Sequence, residues 1–280
     1  MMVLPLAACG AKSIPNAEEA YTKMQEKSAA VEKMDADVNM TLSMSEAEPE
    51  DPENPQAMEI KVSGEVLMDQ SDDKIVFAAP MFVDMMGYSV PFNYYYADGY
   101  LMFDFLGQNG KIPMDLDEAM DSLLTSELTG TKSLELIKDL KIEAVEQEDK
   151  KAKSQYLLSY SMDSAALTDM LKSLEQFDLD ATGESVQWNK VAGTILIDED
   201  YNALSQTVTA SFIIDDPYSG KILVEMNSDV VYKEITDDFA VDTPDPADYY
   251  EMETGLYDEE DLFEEELLEE ELPAEETPAA

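Results

Sequence analysis

The chain has 280 residues, 45% of them hydrophobic, which is enough for a packed core and too many for disorder throughout. Its 63 acidic residues face 17 basic ones, all lysine, giving a formal net charge of -46 that excludes nucleic acid as a partner. There is no histidine, so a Ser-His-Asp triad, a Cys-His pair and any histidine-containing zinc site are excluded too.

The only cysteine, Cys9, follows an apolar run and the small residues Ala7 and Ala8. It cannot form a disulfide within the chain, and no histidine is present to activate it. A short apolar run ending in small residues has the form of a secretory signal at its cleavage point. Leu6-Ala7-Ala8-Cys9 resembles the lipobox of bacterial lipoproteins. That resemblance implies a diacylglyceryl group on Cys9, a membrane anchor and an extracytoplasmic location at the cell envelope. A two-chain lipid is sufficient for stable anchoring. Residues 1–9 are read as the signal remnant and 10–16 as a polar tether. No apolar run reaches the roughly 18 residues that a membrane-spanning helix needs.

Asn16 and Glu19 have the spacing of a capping box, and Ala17, Ala20, Tyr21, Met24, Val31 and Met34 follow at helical intervals. The spacing predicts an amphipathic helix over 17–34. The period then changes to two: Ala36, Val38, Met40, Leu42 and Met44 alternate with polar residues, as on a half-buried strand. A Pro-rich acidic loop (46–55) leads to a second alternating strand over 58–68, an acidic turn at Asp72-Asp73 and a strand over 75–79.

In SVPFNYYYADGYLMFDF a two-residue type I′ turn at Asp98-Gly99 sets Tyr96 opposite Leu101, Tyr94 opposite Phe103 and Phe92 opposite Phe105. Two helices are expected over 116–140, strands over 142–147 and 155–162, and a further helix over 165–177. Strands return over 186–197, 204–214 and 221–233. Residues 242–280, acidic and free of lysine, read as a self-repelling disordered tail. Long antiparallel hairpins interrupted by a few helices indicate an α+β fold, with 17–241 as its domain.

This order of elements, with phrases such as YYYADGYLMFDF and GTILIDEDYNAL, is similar to that of Gram-positive lipoproteins with the LolA fold and of the LprG/LppX lipid-binding lipoproteins. The resemblance implies a curved antiparallel sheet, an unclosed half β-barrel, with helices covering its concave face. A concavity of that kind is filled either by its covering helices or by an apolar ligand. Eighteen methionines suit irregular apolar cargo, because the unbranched side chain adapts its shape. Met40, Met44, Met68, Phe92, Tyr94, Phe103 and Phe105 are the cavity candidates, with ordinary core packing as their alternative role.

No catalytic site, cofactor or metal is expected. Acidic pairs are uninformative in a chain so rich in them, and no glycine-rich phosphate loop occurs. Asp178, Asp180, Thr182 and Gly183 match the start of a calcium-binding loop, but Asn189 stands where the closing bidentate Glu belongs, so an acidic turn is the expected role. The function expected is a non-enzymatic, membrane-anchored lipoprotein that binds or carries a lipid or other apolar ligand. The alternative is an envelope interaction or sensing module with a packed core and no ligand.

Overall fold

The computed structural model describes residues 14–47, 57–71, 74–114, 134, 136–147, 153–165, 185–216, 220–236 and 239–252. One α-helix, α1 (Ala17–Ala29), precedes the strands β1 (Lys33–Glu46), β2 (Ala57–Asp69), β3 (Val76–Met85), β4 (Tyr88–Ala97), β5 (Tyr100–Phe105) and β6 (Gln108–Pro113). Then come β7 (Ile137–Val145), β8 (Gln155–Met162), β9 (Ser185–Asp198), β10 (Ala203–Asp216), β11 (Gly220–Tyr232) and the short β12 (Tyr250–Glu251). The twelve strands among the described residues form a single sheet in the order β12-β6-β5-β4-β3-β2-β1-β11-β10-β9-β8-β7. Every pairing is antiparallel except that of β12 with β6. Among the described residues the two outer strands do not pair, and the sheet is unclosed.

Helix α1 starts where the sequence indicates: Asn16 Oδ1 accepts from the backbone N–H of Glu19 at 3.1 Å. It ends at Ala29, earlier than the expected Met34. Met34 fits both periods, and the strand period prevails because Met34 pairs with Met68 and continues the alternation of Ala36, Val38 and Met40. Several helices were expected to cover the sheet; among the described residues α1 is the one helix with a full range, and the helical residues Leu134 and Leu136 also pack on this side of the sheet.

The helical reading of 116–140 is corrected at its C-terminal end, where strand β7 begins at Ile137. A bulge explains the misreading. The register of β7 against β8 shifts between Lys138 and Lys141, and Asp139 takes a left-handed φ of 53°. The extra residue brings Ile137 and Leu140 to one face at a three-residue interval, which imitates a helix. Leu134 and Leu136, before β7, are helical as expected, and so is Ala165; residues 116–133, 135 and 166–177, with Asp178, Asp180, Thr182, Gly183, Cys9 and residues 253–280, lie outside the described residues.

The Asp98-Gly99 hairpin has the expected register, and φ is 51° and 81° at its two turn residues. Two further two-residue turns repeat these torsions: Met86-Gly87 joins β3 to β4 (53° and 83°), and Leu106-Gly107 joins β5 to β6 (51° and 81°). Strand β3 runs to Met85, past the expected Ala79. Ordered pairing also continues beyond Val241, where the tail was expected to begin: Pro246–Asp248 form a 3-10 turn, Tyr249 is buried, and Tyr250 pairs with Gly110. The Tyr249 side chain in the DPADYY stretch provides apolar burial that the charge of the segment as a whole conceals.

The main core lies between α1 and the β8–β9 end of the sheet. There Ala20, Tyr21 and Met24 pack against Tyr156, Leu158, Ile195 and Ile197.

Candidate functional site

Side chains alternate across a strand, so the register assigns each residue to a face. Tyr156 and Leu158 on β8 pair with Ile197 and Ile195, which identifies the face that α1 covers. From there the pairs Val191–Ala210, Ala210–Met226 and Met226–Leu42 carry the same face into the middle of the sheet. Leu42–Ile60, Val62–Val83 and Met81–Phe92 continue it, and Phe92–Phe105 takes it to β5. One apolar face therefore runs from β8 to β5.

All seven cavity candidates fall on this face. Met40 pairs with Val62 and with Ser228, Met44 with Met58 and with Val224, and Met68 with Met34 and with Phe77. Phe92, Tyr94, Phe103 and Phe105 form its aromatic end. The Phe92 ring meets Tyr94 edge-on at 4.3 Å and Phe105 at 5.3 Å between centroids. Six of the seven are half-buried, and Phe105 is exposed.

The candidates share a face without sharing a pocket. Met44 borders an open depression of about 950 Å³ at one end of the sheet, together with Met58, Met86 and Ile222. Met68 borders a separate one of about 290 Å³ at the opposite end, beneath the C-terminus of α1, with Met34, Val31 and Tyr232. Met81, Val83, Met34 and the β11 residues Ile222, Val224, Met226 and Tyr232 occupy the same face, and the sequence reading missed them. The alternation of β11 carried a signal for its own residues; β3, interrupted by Pro80, carried little.

Burial pushes the phenol pKa of Tyr94, Tyr160 and Tyr232 above the ordinary tyrosine value.

The opposite face is polar at the centre of the sheet. Lys233 reaches Asp37 at 2.7 Å and Asp35 at 3.2 Å and also pairs with Glu65, and the hydrogen bonds that its ammonium donates to these carboxylates hold its pKa well above the usual lysine range. Towards β5 this face has a small core of its own, in which Tyr249 packs with Ala97 and Met102. Among the described residues no cluster of three or more His, Cys, Asp or Glu side chains is arranged to hold a metal ion. No helix among them is long and apolar enough to cross a membrane.

No protein-family model matches the chain. No curated protein matches it either. Among solved structures it is similar to LprF from Mycobacterium bovis, at 8% identity and a TM-score of 0.38, over 83% of this chain and 99% of that one. It is also similar to the lipovitellin of a structure describing lipid–protein interactions, at 9% identity and a TM-score of 0.34, over 76% of this chain and 26% of that one.

Proposed function

We propose that the chain is a non-enzymatic lipoprotein, anchored through a diacylglyceryl group on Cys9 to the extracytoplasmic face of a membrane, whose apolar sheet face binds a lipid or another apolar molecule. In this reading residues 17–241 form most of a half-barrel of the LolA and LprG/LppX type. The observation that supports ligand binding most is the continuity of the apolar face from β8 to β5, with α1 packed on its β8–β9 end. Burying a ligand there removes apolar surface of both partners from water, a gain of about 25 cal/mol per Å² of apolar surface. The half-buried methionines let the face adjust to chains of differing shape.

The test is mass spectrometry of an organic extract from folded protein that lacks residues 1–9. A lipid in stoichiometric amount is the expected result. The delipidated protein should then take up a fluorescent fatty acyl probe, and Met40→Asp should weaken uptake by about tenfold or more, because it places a charge in the middle of the face. Asn39→Asp, on the polar face, should leave uptake unchanged. An empty extract together with no probe uptake by folded protein would overturn the reading.

A further inference from the structure

Two of the three two-residue turns among the described residues place a bulky apolar residue where the backbone is left-handed. Met86 has a φ of 53° and Leu106 one of 51°, torsions that asparagine, aspartate and glycine adopt with far less strain. The turn at the opposite end of the sheet uses the expected Asp98-Gly99. Both apolar tips project into solvent: Met86 is 77% exposed and Leu106 68%. Neither hairpin needs these side chains for its own packing.

Their neighbours extend the pattern. Met85, Tyr88 (75% exposed) and Phe105 flank the tips at the same end of the sheet. Strand β4 runs four residues past the Phe92–Phe105 pair before reaching Tyr88, so the two tips are offset by about 13 Å along the strands. Two offset convex projections offer no continuous area for a rigid partner, whereas a fluid surface closes around each of them. Tyr88 adds an amphipathic ring of the kind that settles at a membrane–water boundary. The depression beside Met86 contains Glu46, Glu59 and Asp84 against one base, Lys61, so an anionic surface would be repelled.

We propose that the Met86 and Leu106 tips are membrane contacts, which enter the interface of a zwitterionic or uncharged lipid surface. This contact is independent of any ligand on the apolar face and of any lipid on Cys9.

The experiment uses the full chain with Cys9→Ser, which cannot be acylated, and phosphatidylcholine vesicles in a flotation assay. The chain should float with the vesicles, and more weakly at low salt when phosphatidylglycerol is included. Met86→Asn with Leu106→Asn should weaken binding by about 10- to 100-fold. Because asparagine suits the left-handed torsion, the melting temperature should be equal or higher, which separates lost contact from lost folding. A single thiol placed by Met86→Cys in the Cys9→Ser chain, labelled with a polarity-sensitive dye, should shift to the blue on vesicles, and one placed by Asp98→Cys should not. Failure of the Cys9→Ser chain to float, or equal flotation of the asparagine variant, would overturn the proposal. So would tip-dependent dimerisation in the absence of vesicles, which would make the tips a self-docking surface.

Discussion

Gly64 shows how closely two neighbouring strands approach on the apolar face. A Cβ there would overlap the carbonyl oxygen of Pro80 and lie 2.5 Å from Met81 Sδ, and the carbonyl cannot move without disturbing the β2–β3 pairing. Gly64→Ala is therefore expected to cost about 1–3 kcal/mol, read as a lower urea midpoint at unchanged slope. The sequence shows a glycine inside an alternating strand, which signals close approach without naming the neighbour. Legibility at this scale depended on ordinary chemistry. Asp98-Gly99 was readable because aspartate favours the torsion that its turn requires. Met86-Gly87 and Leu106-Gly107 were not, because their first residues oppose it at a cost of about 1–2 kcal/mol each. Such departures from local preference concentrate where a side chain is needed for something other than folding.

At the scale of elements, α1 contributes most where it covers the β8–β9 end of the apolar face. Met24 is 6% exposed within that cluster. Met24→Ala should lower unfolding free energy by about 2–4 kcal/mol, measured by chemical denaturation, since it removes buried atoms and leaves space that α1 and the sheet fill only in part. Strands with unbroken alternation were legible nearly to their ends: the 186–197 and 204–214 readings fall within β9 (Ser185–Asp198) and β10 (Ala203–Asp216). β7 was misread in part because its bulge converts a two-residue period into a three-residue one. β6 and β12 escaped notice for another reason. QNGKIP and YE are too short and too polar to show a period; β6 joins the sheet through the Leu106-Gly107 hairpin that the sequence does not announce, and β12 through long-range pairing with β6.

Charge governs the whole molecule. A net charge of -46 on one chain opposes the compact state by self-repulsion, and the 17 basic residues are too few to neutralise it. The melting temperature should therefore rise when NaCl increases from about 10 to about 300 mM at neutral pH, as the screening length falls from roughly 30 Å to under 10 Å. Acid acts in the opposite sense on particular carboxylates. Hydrogen bonds from the Ser71 hydroxyl and N–H hold the Asp69 pKa below its ordinary value. Burial pushes Asp198 up, but bonds from the Asn202 side chain and N–H and from the Asp200 N–H outweigh it and leave that pKa lowered as well. The stability that these two groups add is fully present above the unfolded carboxylate value of about 4 and is lost as pH falls through their lower folded values.

The order of strands has a consequence for how the chain is made. β1 lies between β2 and β11, with Ala36 facing Tyr232 across the join. β1 to β6 can pair in succession as each strand leaves the ribosome, since every contact among them is with the preceding strand. The outer edge of β1 must wait until nearly the whole domain has been synthesised, and until then its backbone N–H and C=O groups are open to any other extended chain. A nascent chain of this topology is exposed for the longest time at what becomes the middle of its sheet.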